Sequence, residues 1–267
     1  EYQPGEYEYR FCAWSGVPGE GIRIGELQRI TLNILTDKPT LKNNWPRSLQ
    51  GKGGVVYAVG DVDGDRMREI IVSSEGLLYV LNYKGETLPG WPLNYELMLG
   101  SPVALGDING DSIQDIVIAS KNGIYVLKGN GDLILSINTG SWPRAYLALG
   151  DVNGDNSLEI ISVVCDASVT FGGDKTGFGQ IHVWNREGQL LDGWPKEIHG
   201  PSPPSLGDID HDGIMDIAIA CSNGIYVWNG EGKLLPGWPK KEESYISTPA
   251  CLGDIDGDGN LEIVCAR

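Results

Sequence analysis

Five short stretches of this chain place oxygen-bearing side chains at alternate positions. They are Asp61, Asp63, Asp65 and Glu69; Asp107, Asn109, Asp111 and Asp115; Asp151, Asn153, Asp155 and Glu159; Asp208, Asp210, Asp212 and Asp216; and Asp254, Asp256, Asp258 and Glu262. In each stretch the four fall at relative positions 1, 3, 5 and 9. Short carboxylates spaced in this way around a tight loop can converge on one point. A backbone carbonyl at position 7, from Met67, Ile113, Ser157, Ile214 or Asn260, can complete the ring of oxygens. Hard oxygen donors in that number favour Ca²⁺ over Mg²⁺ or a transition metal. An ordinary solvated turn needs one or two Asp or Asn, not four at fixed spacing. The expectation is about five Ca²⁺ ions, one for each loop.

Charge supports this chemistry. The chain has 20 Lys plus Arg against 36 Asp plus Glu, a formal net charge of −16, and the five loops hold 18 of those acidic residues. Crowding so many like charges without a cation is unfavourable. Five divalent ions would bring −16 to −6. The same balance argues against nucleic acid or an anionic membrane surface as partner. No apolar run is long enough to span a bilayer, so no membrane insertion is expected. The sequence opens on Glu1 without a charged start and apolar run, so no leader is expected within it. Five cysteines, Cys12, Cys165, Cys221, Cys251 and Cys265, lack CxxC spacing and read as small buried hydrophobes.

The elements that must position these loops follow from the repeat. First aspartates recur at intervals of 46, 44, 57 and 46 residues, a period that suits one four-stranded propeller blade. Each loop lies between two short β-rich runs. A third run follows, Leu78–Leu81, Ile124–Leu127, Ile181–Trp184 or Ile225–Trp228, and then a turn closed by Gly85, Gly131, Gly188 or Gly232. A fourth strand leads to a Trp-Pro pair, at Trp45, Trp91, Trp142, Trp194 and Trp238. These tryptophans read as wedges between blades, with a stacking platform for sugars as the other reading. With 38 Gly and 15 Pro in 267 residues, helical architectures are disfavoured.

The fifth repeat stops after its second strand. Ile30–Leu35 and the following stretch to Pro46 look like its missing third and fourth strands. The fold expected is therefore an all-β, five-bladed propeller over 30–267, its ring closed where the N- and C-terminal segments share one blade. Residues 1–29 fall outside the repeat and read as an N-terminal extension, either two further strands or the tail of a preceding domain.

The repeats resemble the calcium-binding FG-GAP repeats of integrin-α-type β-propellers, in the looser form found in secreted microbial proteins. The resemblance covers about residues 41 to 267 and is carried by the DxDxDxxxD/E loops. In this chain Phe-Gly gives way to stretches such as Ser101–Leu105, and Gly-Ala-Pro to Ser73-Ser74-Glu75. The resemblance implies an extracellular location, secreted or at a cell surface, and a role in binding, adhesion or the architecture of a larger assembly.

Up-and-down topology puts the acidic loops and the Asn-x-x-Gly turns on one face. The opposite face carries Tyr95, Arg144, His199, Lys240, Lys241 and Tyr245, and an insertion within Asp166–Gly179 that contains Phe171 and Phe178. A protein or glycan ligand is expected there. The three histidines, His182, His199 and His211, form no triad by spacing, and the clustered carboxylates are absorbed by the loops. A non-catalytic module is the primary reading, and a carbohydrate-binding or lyase-type propeller the alternative.

Overall fold

The structure, a computed structural model, describes residues 11–15, 23–24, 49, 56–74, 76–97, 101–140, 144–165, 177–241 and 248–266. Short β-branched and aromatic runs bounded by Gly, Asn and Asp form strands throughout, and the described residues contain no helix long and apolar enough to cross a membrane. Two N-terminal strands, β1 (Phe11–Ser15) and β2 (Arg23–Ile24), come first. The first sheet comprises β3 (Val56–Gly60), β4 (Glu69–Ser74), β5 (Leu77–Leu81) and β6 (Leu93–Asn94), and the second β7 (Val103–Gly106), β8 (Asp115–Ser120), β9 (Gly123–Leu127) and β10 (Leu133–Ile137). The third comprises β11 (Arg144–Gly150), β12 (Glu159–Cys165), β13 (Phe178–Trp184) and β14 (Lys196–His199). The fourth comprises β15 (Ser205–Gly207), β16 (Asp216–Cys221), β17 (Gly224–Trp228) and β18 (Lys240–Lys241), and β19 (Cys251–Gly253) and β20 (Glu262–Ala266) end the chain.

Four of the sheets are antiparallel meanders in chain order; the fifth runs β19-β20-β1-β2. The sequence predicts one sheet shared by N- and C-terminal segments, and the structure has such a sheet, built from different N-terminal strands. The neighbour of β20 is Phe11–Ser15, paired from Phe11↔Ala266 to Ser15↔Glu262. A strand has two edges, and β20 uses its other edge for β19, so both of its edges are occupied by described strands. The stretch from Ile30 to Pro46 lies outside the described residues.

Strands 4, 8, 12 and 16 in this numbering are buried almost end to end, as central strands covered on both faces should be. Their side chains fill cores between successive sheets. Val80, Trp91 and Ile116 pack between the first two sheets, Val126, Ile137 and Ile160 between the next pair, Val163, Trp194 and Ile217 beyond them, and Val227, Trp238 and Ile263 at the last. First strands lie side by side in succession, β3 with β7, β7 with β11, β11 with β15 and β15 with β19. The result is an all-β stack of blade-like sheets whose first two strands bracket each acidic loop. Cys165, Cys221 and Cys265 are buried as expected, but Cys251 is exposed.

Candidate metal centre

The register fixes where each loop begins and ends. Gly60 pairs with Glu69, Gly106 with Asp115, Gly150 with Glu159, Gly207 with Asp216 and Gly253 with Glu262, so the position-9 carboxylate always stands opposite the glycine that precedes position 1. The loop between is shaped by its own aspartates. In the first copy Asp61 accepts from the backbone N–H groups of Gly64 at 2.8 Å and Arg66 at 2.9 Å, Asp63 from that of Asp65 at 3.1 Å, and Asp65 from that of Met67 at 2.7 Å. Glu69 reaches back to the N–H of Val62 at 3.2 Å. The other loops repeat these bonds: Asp107, Asp151 and Asp254 hold Gly110, Gly154 and Gly257, and Asp208 holds Gly213. Side-chain oxygens thus take over the turn N–H groups, which is why Asp and Asn suit these positions.

Positions 1, 3 and 9 come together. In the clusters Asp61, Asp63, Glu69, then Asp208, Asp210, Asp216, then Asp254, Asp256, Glu262, one oxygen from each side chain lies within 4.8 Å of the others. Position 5, held by Asp65, Asp111, Asp155, Asp212 and Asp258, turns one oxygen to the N–H of position 7 instead. Loops two and three carry Asn at position 3. There the amide nitrogens of Asn109 and Asn153 donate to Asp115 Oδ1 and Glu159 Oε1, each at 3.0 Å, and stand where a cation's charge would otherwise be needed.

Electrostatics mark the same points. The position-9 side chains are buried, and burial, reinforced by neighbouring carboxylates, raises the affinity of Glu69 and Asp115 for a proton. It brings Glu159 to about 7 and Asp216 to about 6. Asp111 moves the other way because the Lys128 ammonium sits 3.1 Å from its Oδ2. In the fourth loop Asp208 Oδ1 is buried and accepts no hydrogen bond among the described residues. A buried carboxylate oxygen with no donor, inside a cluster of three carboxylates, is a ligand arrangement that fits a hard divalent cation.

The structure adds two features that the sequence pattern does not predict, the ion pair of Lys128 and the burial of position 2. Lys128 occupies the place that Asn82, Asn185 and Asn229 hold in the sister turns, and its ion pair puts turn and acidic loop on one face. The aliphatic residue at position 2, Val62, Ile108, Val152 or Ile209, is buried against the next sheet, and its recurrence inside an acidic stretch was the available signal. The tryptophans are wedges. Trp91, Trp194 and Trp238 are buried, and the indoles of Trp91 and Trp194 donate to the carbonyls of Gly129 and Gly230 in the following sheets at 2.8 and 2.9 Å. Trp45 and Trp142 lie outside the described residues.

On the opposite face Tyr95 is half-buried against Tyr125, their rings 5.1 Å apart, so it belongs to the core between the first two sheets. Phe178 opens β13 and is 57% exposed, with the His199 ring 4.4 Å away. Lys240 lies over the Trp238 ring. Phe171 and Tyr245 are outside the described residues. Of the histidines, His182 is buried and stacked on Trp184, and His211 Nε2 is 2.7 Å from Asn260 Oδ1 in the neighbouring loop.

A model of the FG-GAP-like repeat matches residues 107–162 and 208–265. No curated protein sequence matches the chain. Among solved structures, a rhamnogalacturonan lyase of Bacillus licheniformis aligns at 14% identity and a TM-score of 0.48, over 82% of this chain and 58% of its own. The V. cholerae biofilm matrix protein Bap1 aligns at 16% and 0.41, over 78% and 43%. The rhamnogalacturonan lyase YesW aligns at 13% and 0.49, over 96% and 68%. The chain therefore spans well under two thirds of the length of the first two, and likeness at this level informs neither substrate nor activity.

Proposed function

The chain carries FG-GAP-like repeats, and from that premise we propose that it is a calcium-stabilised, non-catalytic β-propeller of five blades. In this reading it works outside the cell, secreted or at the surface, as a binding, adhesion or structural module of a larger assembly. The carrying observation is the buried Asp208 Oδ1, without a hydrogen-bond partner among the described residues, within a carboxylate cluster that recurs in the first and fifth loops. The ligands are positions 1, 3, 5 and 9 with the carbonyl of position 7. Each ion at ten to a hundred times its dissociation constant would stabilise the fold by about 1.4 to 2.7 kcal/mol. Millimolar extracellular calcium would fill even weak sites of this kind. Isothermal titration with Ca²⁺, followed by thermal melts in Ca²⁺ and in EDTA, tests the reading. Heat of binding and a higher melting temperature in Ca²⁺ are expected, and identical melts would remove it.

A second reading draws on Phe178. Its exposed ring beside His199 lies at the end of β13 away from the acidic loops and offers a surface on which a sugar could stack. A carbohydrate-binding or lyase-type propeller is that reading. A glycan array probed with the chain and with Phe178→Ala separates the two, since only the second predicts a signal that the substitution abolishes.

A further inference from the structure

Loops two and three carry Asn at position 3, and in both the next residue is Gly. An asparagine amide is open to attack by the backbone nitrogen of a following glycine, which has no side chain to hinder ring closure. The chain holds six Asn-Gly pairs, at Asn109, Asn122, Asn130, Asn153, Asn223 and Asn229, which the sequence alone does not rank. Their surroundings in the fold differ.

At Asn109 and Asn153 a hydrogen bond stands at every atom that such an attack changes. The Gly110 N–H donates to Asp107 Oδ1 and the Gly154 N–H to Asp151 Oδ1, both at 2.7 Å, so a carboxylate rests on the proton that has to leave. Asn109 Oδ1 accepts from the Asp111 N–H and Asn153 Oδ1 from the Asp155 N–H, both at 2.8 Å, which puts a donor where negative charge develops as the carbonyl is attacked. The departing nitrogens, Asn109 Nδ2 and Asn153 Nδ2, donate to Asp115 Oδ1 and Glu159 Oε1. Both glycines are exposed. The other pairs lack this setting. Gly123 and Gly224 are buried and paired within β9 and β17. A Cβ on Gly230 would collide with the Val152 carbonyl, so the backbone there is hemmed in. At Asn130 the Gly131 N–H is given to the Lys128 carbonyl, which takes no proton.

We propose that Asn109 and Asn153 are deamidation sites at which loops two and three convert their own position-3 amide to a carboxylate. The glycine nitrogen bonds to the asparagine Cγ, the Cγ–Nδ2 bond breaks, and ammonia leaves with the proton of the glycine N–H. Water then opens the five-membered imide. Opening at Cγ restores the glycine N–H and gives Asp; opening at the other carbonyl gives the isoaspartyl isomer. The aspartyl product needs no new loop shape, because Asp63-Gly64 and Asp256-Gly257 already stand at these positions with the same glycine N–H bonds to Asp61 and Asp254. It would face the position-9 carboxylate where an amide donor stood, so conversion gives loops two and three the three-carboxylate set of loops one, four and five. This consequence rests on the calcium reading above; the conversion itself does not.

Peptide mass mapping of the protein incubated in EDTA, folded and in urea, tests the proposal, with electron-transfer fragmentation to tell Asp from its isomer. In the folded protein conversion at Asn109 and Asn153 should be roughly tenfold or more faster than at Asn122, Asn223 and Asn229, and faster than at Asn130, whereas in urea the six should converge. Equal rates at all six in the folded protein, or conversion of Asn109 and Asn153 only in urea, would overturn it. Asp151→Asn should slow Asn153 and leave Asn109 unchanged, with Asn223 in the same digest reporting that β17 is still formed; unchanged conversion at Asn153 would also overturn it. Calorimetry on Asn109→Asp with Asn153→Asp should show added calcium binding. Conversion on schedule with no heat of calcium binding in either protein would leave the modification standing and remove the calcium reading.

Discussion

The indole N–H of Trp91 donates at 2.8 Å to the carbonyl of Gly129, thirty-eight residues away in the next sheet. Gly129 is in turn confined, because a Cβ there would collide with the Val62 carbonyl of the first acidic loop. Tryptophan, turn and acidic loop from two sheets therefore meet at one point. The same arrangement joins the third and fourth sheets through Trp194, Gly230 and Val152.

Trp91→Phe should destabilise the protein by about 1–3 kcal/mol, since it strands a buried carbonyl and removes ring volume. Gly129→Ala should cost at least as much, because the clash is with backbone that can shift only by distorting the loop. Urea denaturation checks both, and calcium titration of Gly129→Ala should show the first site weakened while the fourth and fifth are unchanged.

The five loops should not bind calcium equally. Loops one, four and five bring three carboxylates together within 4.8 Å, whereas loops two and three have an amide bonded to the position-9 carboxylate. A cation entering those two must displace the amide's donor end, and in loop two it also competes with Lys128 for Asp111. Calorimetry should resolve a tighter class of three sites and a weaker class of two. Lys128→Gln should strengthen one site of the weaker class, and Asn153→Asp the other.

Much of this was legible in the sequence because it is local. Acidic spacing, turn glycines and short β-rich runs are set by neighbours a few residues apart, and the loops and hairpins fall where those patterns place them. Of what joins one sheet to another, the tryptophan wedges were legible because they recur, but pairs such as Leu105 with Gly60 were not, being distant in sequence and unremarkable singly. The partner of the C-terminal strand shows the same limit. Ile30–Leu35 matches the repeat pattern, but pairing is decided by which edge it meets, and Phe11–Ser15, which matches no repeat, occupies that edge.

Without calcium, stability should fall as pH rises. Glu159 and Asp216 hold their protons up to about 7 and about 6 in the folded protein, above the ordinary values of 4.5 and 3.8 that an unfolded chain has. A folded state that binds protons more tightly is favoured below the unfolded values and loses that advantage as pH climbs through the folded ones. His182 acts in the opposite sense, since burial lowers its proton affinity and disfavours the fold in acid below about 6.5. Raised carboxylates outnumber it, so the melting temperature in EDTA should drop between pH 5 and 7.5. In saturating calcium the drop should vanish or reverse, because the cation competes with the proton for the same oxygens. Glu159→Gln should flatten the EDTA profile.

His182 itself yields the last expectation. It stands in β13 where the sister strands carry Tyr79, Tyr125 and Tyr226, so the site accommodates an aromatic ring at least as large. Its ring lies parallel to that of Trp184, with centroids 5.2 Å apart, and its Nδ1 is buried without a hydrogen-bond partner among the described residues. A buried polar atom left unsatisfied costs about 1–3 kcal/mol, and an apolar ring of similar shape avoids that cost while keeping the stack. His182→Phe should therefore raise the denaturation midpoint, an unusual direction for a substitution in a packed interior, and should remove the acid-side loss of stability assigned to this histidine. Urea midpoints at pH 5 and pH 7.5, measured in calcium to hold the carboxylates fixed, check both parts. A lower midpoint at both pH values would mean that Nδ1 is satisfied by a bound water and that the imidazole is retained for that bond.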